Sequence, residues 1–187
     1  MSEFIFSEGR QELDMKLKKY IIPFSIIVIA GFLIIFFINQ NKLNGSTIES
    51  RELRLREISN LGQVTTIDQE ITIDGYIISG YTAKNNQYGL AVFVPEGNGK
   101  YVFQTNTNRQ NNELLFLTTI INAKQYNLFW AKKADLDYAE ITYTIDGKTG
   151  ETIKLDAKNN KILYTEAPSN DFSVEYHFVD KNGIIYE

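Results

Sequence analysis

The chain contains no cysteine. That removes disulfides, thiol nucleophiles, thiolate metal sites and lipid attachment through Cys, so any folded domain must be held by its core alone. Histidine occurs once, at His177. A Ser-His-Asp triad needs a His oriented by a carboxylate beside a nucleophile, so a single His allows one such arrangement at most. No serine sits in a G-x-S-x-G frame. Zinc sites cluster His, Cys and carboxylates, and that ligand set is missing. The chain therefore reads as non-catalytic, with no cofactor. Blocks of like charge are also absent. The net charge is −4, and after residue 38 there are 15 Lys and Arg against 19 Asp and Glu. Such a surface repels phosphates, which argues against a nucleic acid partner.

Charge is missing altogether from residues 20–38, YIIPFSIIVIAGFLIIFFI, fourteen of which are Ile, Leu, Val or Phe. As a helix rising about 1.5 Å per residue, the run covers roughly the 30 Å hydrocarbon core of a bilayer. It predicts a single transmembrane helix whose partner is membrane lipid. Lys16, Lys18 and Lys19 precede it and only Lys42 follows closely, so the positive-inside rule places the N-terminus in the cytosol and the remainder outside. A cleavable signal peptide has an apolar region of roughly 7–15 residues and an A-x-A-like site. This run is longer and is followed by Asn39-Gln40-Asn41-Lys42-Leu43, so an uncleaved signal anchor in the cell membrane is expected. Small residues do not recur at four-residue spacing, which leaves no packing face for a second span. Met15, ahead of Lys16-Leu17-Lys18-Lys19, is a second candidate start. An extracytoplasmic domain without disulfides, in a chain rich in Ile, Asn and Lys, points by composition to a Gram-positive surface.

The expected organisation is a cytosolic tail 1–19, the anchor 20–38, a juxtamembrane linker 39–63 and an extracytoplasmic β domain 64–187. In the linker, Ser46-Thr47-Ile48-Glu49 has capping-box spacing with Ser46 as N-cap. The helix would run to Leu61 with Gly62 as its stop and Glu52–Arg56 as an i,i+4 pair. Ile48, Leu55 and Ile58 fall near one face, which is expected to lie on the chain's own β domain. A coiled-coil contact with a partner is the alternative, on too few heptads to support it.

From Val64 the hydrophobic period is two. Strands are predicted at 70–73, 76–82, 87–94, 100–105, 114–121, 125–131, 139–145, 151–155, 161–164, 173–179 and 184–186. The breaks carry Asp74-Gly75, Gly97-Asn98-Gly99, Asp146-Gly147, Asn159-Asn160 and Asn182-Gly183. Alternation puts Phe172, Val174, Tyr176 and Phe178 inside and Ser173, Glu175 and His177 outside. Short one-sided strands of this kind predict an all-β, antiparallel, immunoglobulin-like β-sandwich, two sheets face to face, with a closed antiparallel β-barrel as the alternative. The Cys-Trp-Cys framework of antibody domains is absent, so the expectation concerns architecture alone.

The function expected from these residues is that of a single-pass, membrane-anchored protein-interaction or accessory module at the cell surface, without catalysis, holding a protein partner. The alternative is an extracytoplasmic sensor or binding module for a small ligand or cell-wall glycan. Two stretches would serve the alternative. Residues 104–112 are polar and read as a loop, where the side chains of Asn106, Asn108, Arg109 and Asn111 offer groups that match sugar hydroxyls. Tyr126, Trp130 and Tyr138 form an aromatic group that would be a stacking platform if exposed, although Tyr126, Leu128 and Trp130 share a face that suits a core. Asp135-Leu136-Asp137 lacks the further oxygens a Ca²⁺ ion needs and reads as an acidic turn. His177 reads as a solvated surface residue.

Overall fold

The computed structural model describes residues 29–31, 33, 44–58, 65–111 and 113–187. The expected tail, most of the expected anchor and the linker segments 39–43 and 59–63 lie outside these. Residues 29–31 and 33 are helical, and no helix among the described residues is long and apolar enough to cross a membrane. Leu43–Glu187 forms one structural unit.

Its first element, helix α1, spans Ile48–Ile58. Thr47, not Ser46, is the cap: Thr47 Oγ1 accepts from the Ser50 N–H at 3.2 Å, and Ser50 Oγ accepts from the Thr47 N–H at 3.1 Å. This is a reciprocal capping box with serine in the acidic position. Ser46 is taken by the turn before it, where Asn44 Oδ1 accepts both its N–H at 3.0 Å and its hydroxyl at 2.5 Å. Glu49 in the first turn is held below the usual carboxylate range by its own backbone N–H and then by the Thr47 hydroxyl. The expected Arg56–Glu52 pair forms at 3.5 Å. The apolar face is not the one expected: Leu55 is fully buried, but its buried companions are Ser50 and Arg51, whereas Ile48 and Ile58 stay exposed.

Eleven strands follow, at the places where the period of two predicts them: β1 Thr65–Ile73, β2 Tyr76–Ala83, β3 Gln87–Gly97, β4 Lys100–Gln110, β5 Leu114–Ile121, β6 Lys124–Ala131, β7 Leu136–Ile145, β8 Lys148–Asp156, β9 Leu163–Glu166, β10 Ser173–Asp180 and β11 Ile185–Tyr186. Three hairpins turn on Asp74-Gly75, Asn98-Gly99 and Asp146-Gly147, both residues of each at positive φ. That geometry matches the right-handed twist of paired strands, and Asn or Asp followed by Gly adopts it at least cost. β4 is longer than predicted. Of the polar stretch 104–112, expected as a loop, residues 105–110 are paired with β3 in the last strand of its sheet, where polar side chains need not be buried.

All pairings are antiparallel, in three open sheets of order β1-β2-β3-β4, β5-β6-β9 and β11-β10-β7-β8. No closed barrel forms. The arrangement is compatible with a β-sandwich, with the strands paired in three sheets where an immunoglobulin-like sandwich has two, and β6 shows how they meet. Its Tyr126, Leu128 and Trp130 pack with Ile78, Leu90 and Val92 of the first sheet. Its Phe129 and Ala131, pointing the other way, pack with Ala139, Ile141 and Phe178 of the third. A strand apolar on both faces must be covered on both. The buried amide of Asn127 is bonded at both ends: Nδ2 donates to the Tyr143 hydroxyl at 2.8 Å, Oδ1 accepts from Thr118 Oγ1 at 2.8 Å, and the Tyr143 hydroxyl also pairs with Thr165.

The first sheet is covered on its other face by α1, where Leu55 meets Tyr81, Ala83, Ala91 and Phe93. Beside it Arg51, 4% exposed, donates from Nε and Nη2 to the two oxygens of Glu70 at 2.8 and 2.6 Å, and from Nη1 to the Gly45 carbonyl at 2.6 Å. Glu70 also accepts from Ser79 Oγ. On the open edge of β1, Glu52 accepts from the Ile67 N–H at 2.9 Å and Arg56 donates to the Thr65 carbonyl at 2.9 Å. The helix thus occupies a strand edge that would otherwise template pairing.

Two substitutions test this packing in urea unfolding of the full chain. A Cβ on Gly80 would lie 2.8 Å from the Trp130 ring, so Gly80→Ala is expected to cost about 1–3 kcal/mol through overpacking. Glu70→Ala strands the Arg51 charge and is expected to cost about 3–5 kcal/mol. Thr152→Ser, on exposed β8, serves as the unchanged reference. Midpoints equal to that reference would refute both assignments.

Candidate functional site

The structure separates the residues that the sequence groups together. Asn106 and Asn108 lie on β4 opposite Ala91 and Gly89, and Asn106 Nδ2 donates to the Tyr81 hydroxyl at 2.9 Å, which holds it against the covered face of the first sheet. Arg109 is exposed and acts electrostatically on Tyr176, whose hydroxyl burial pushes up and Arg109 pulls back. Asn111 follows β4 at a positive φ of 56°. Trp130 is fully buried and Tyr126 is 8% exposed, both between the first two sheets, so they are core side chains. Tyr138 stands on β7 with the Lys154 ammonium 3.2 Å from its ring centroid. His177, across from Glu140 on β7, has Nε2 3.0 Å from the Glu140 carboxylate, with Lys154 4.0 Å beyond on the next strand. Asp135 and Asp137 pair with different lysines, Lys181 at 2.8 Å and Lys158 at 3.2 Å. Among the described residues, no group of three or more His, Cys, Asp or Glu side chains is arranged to hold a metal.

Asn111 lines a feature that the sequence did not announce. It is an open cleft of about 600 Å³ formed with Asn86, Tyr88, Glu113, Leu114, Lys133 and Tyr186. Its lining comes from the β2–β3, β4–β5 and β6–β7 connections with the strand ends beside them, and from β11 at the C-terminal end. Asn86 and Asn111 hold left-handed backbone at φ 54° and 56°, a conformation asparagine tolerates, and the Asn111 N–H donates to the Asn86 carbonyl at 3.0 Å.

The two lysines after β6 take different partners, each an acid and a tyrosine. Lys133 donates to Glu113 at 2.9 Å with its ammonium 5.0 Å from the Tyr186 ring centroid, and the Glu113 hydrogen bond holds its pKa above the usual lysine value. Lys132 donates to Asp68 at 2.8 Å and to the Thr82 hydroxyl, with its ammonium 5.7 Å from the Tyr88 ring centroid. Thr82 in turn donates to Asp68 at 2.5 Å. Both cations are spent on carboxylates. The cleft therefore offers amides, tyrosine rings, a neutralised ion pair and the exposed carboxylate of Glu187, a set suited to hydrogen bonding and stacking.

Asp180 fixes the wall that carries Tyr186. Its Oδ1 accepts from the N–H groups of Asn182 at 2.8 Å and Ile184 at 2.9 Å, and its Oδ2 accepts from the Tyr186 hydroxyl at 3.1 Å. These bonds, led by the Ile184 N–H, hold its carboxyl below the usual aspartate range, while burial followed by the bond to Asp180 pushes the Tyr186 hydroxyl up. A depressed folded pKa gives stability that is present above the ordinary aspartate value, about 3.9, and is lost as pH falls through the folded value. Acid titration of the full chain by NMR is expected to move the Asn182 and Ile184 amide signals together, with a midpoint below about 3.9. Asp180→Asn should remove that step. A midpoint at or above the ordinary value would refute the assignment.

No family model matches this chain, and no curated protein or solved structure matches it either.

Proposed function

We propose that the chain is a membrane-anchored extracytoplasmic module that works by holding a protein partner, without catalysis, on a sandwich-like stack of antiparallel sheets. The observation that carries this reading is β8. It is the last strand of the third sheet, nine residues long, and every residue of it but Leu155 is exposed. The equivalent edge at β1 is occupied by Glu52 and Arg56 of α1, whereas β11, at the far side of the third sheet, has two residues. A free strand edge binds an extended segment through main-chain hydrogen bonds, with side chains supplying selectivity. Lys148, Glu151 and Lys154 guard β8 against indiscriminate pairing and favour a partner strand of complementary charge. The apolar run 20–38 supplies the anchor, and the lysines before it the orientation.

Photo-cross-linking in intact cells tests the reading, with a photoreactive residue at Thr149, Glu151 or Ile153 on β8 and at Asn108 and His177 elsewhere. One dominant protein adduct from the β8 positions, absent from Asn108, is expected. The same adducts from all positions, or none, would overturn the docking edge. The intact mass of the membrane-extracted chain should include residues 20–38; a mass lacking them would overturn the uncleaved anchor.

A further inference from the structure

We infer that the cleft lined by Asn86, Tyr88, Asn111, Glu113, Lys133 and Tyr186 is a binding site for a neutral oligosaccharide, separate from the β8 edge. Charge decides the ligand class first. The cleft's lysine is already engaged with its glutamate at 2.9 Å, and the exposed carboxylate of Glu187 also lines the cleft, so a phosphate or carboxylate ligand meets no uncompensated cation and one repelling anion. A neutral ligand rich in hydroxyls meets no such penalty.

The remaining chemistry fits it. The side-chain amides of Asn86 and Asn111 are exposed, and each carries two donors and an acceptor, the combination that a vicinal pair of hydroxyls satisfies. Their backbones are locked to each other by the Asn111 N–H, so the two amides are presented at fixed separation. Tyr88 and Tyr186 are half-buried, each with a lysine ammonium near its ring, so a pyranose would place its apolar face against the exposed remainder of each ring. Tyr186 is held by Asp180 through its hydroxyl, and Tyr88 is packed against the core of the first two sheets. The side chains are therefore ordered before a ligand arrives, which lowers the entropy lost on binding. An open cleft of about 600 Å³ also suits a chain of sugars that runs through a site, in preference to one small molecule enclosed by it.

The test is saturation-transfer NMR on the purified full chain with four probes: chitotetraose, cellotetraose, maltotetraose and mannotetraose. Transfer to the ring protons of at least one probe is expected. Asn86→Asp combined with Asn111→Asp keeps residues that tolerate left-handed backbone but removes the amide donors, and should weaken that probe at least tenfold with the melting temperature unchanged. Glu113→Gln combined with Lys133→Met, which removes the ion pair while keeping the charge balance, reads the same site if the first variant melts early. Thr152→Arg on β8 should leave sugar binding intact. No transfer from any of the four probes, or binding that both cleft variants leave within twofold, would overturn the inference. Failure at β8 in the cross-linking experiment would leave it standing.

Discussion

The stack depends on one close approach, that of the Trp130 indole to the bare Cα of Gly80. A Cβ there would sit 2.8 Å from the ring, so the first sheet can come down on β6 only because this position is glycine. The ring is completed by a polar contact, its Nε1 donating to the Asn160 carbonyl at 2.9 Å, which ties the segment before β9 to the same strand. β6 has no solvent face to lose, since Tyr126, Leu128 and Trp130 serve one core and Phe129 and Ala131 the other. A cysteine-free domain of this size must draw its stability from burial, and two cores sharing one strand bury more apolar area per residue than a single interface.

The strands were legible in the sequence because alternation and turn residues are local signals. Asp74-Gly75, Asn98-Gly99 and Asp146-Gly147 all turn as hairpins at positive φ. The grouping of strands into sheets was not legible. Alternation in Ile141, Tyr143 and Ile145 says which side chains share a face, but not which sheet that face meets. The one available clue was the run from Tyr126 to Ala131, whose lack of a polar face apart from Asn127 marks a strand covered on both sides. Polar composition misled at Gln104 to Gln110, because an edge strand is fixed by backbone pairing and tolerates amides that a central strand does not.

The helix and the cleft were hidden for different reasons. In α1 the interface rests on Arg51 as much as on Leu55, and a buried guanidinium looks like a surface residue until Glu70, nineteen positions on, is brought beside it. Capping failed by one residue because Asn44 had already taken Ser46 and serine, in place of Glu or Gln, fills the N3 role for Thr47. The cleft draws on connections from Asn86 to Tyr186, so no window of sequence contains it. The left-handed backbone of Asn86 and Asn111 that shapes the connections at that end shows only in the structure.

The edges of the sheets are treated unequally, and that inequality bears on what the domain does. On β1 the free Ile67 N–H and Thr65 carbonyl are both engaged by side chains of α1. Two charged residues thus do the work that a neighbouring strand would do, and an edge covered in this way by its own chain is not open to another strand. On β8 no element of the described chain plays that part, and the protection is left to Lys148, Glu151 and Lys154. Charges deter pairing without preventing it, since a strand bearing the opposite pattern turns the same groups into attractions. An edge that is merely guarded, in a domain that blocks another edge outright, is the edge we propose for a partner strand.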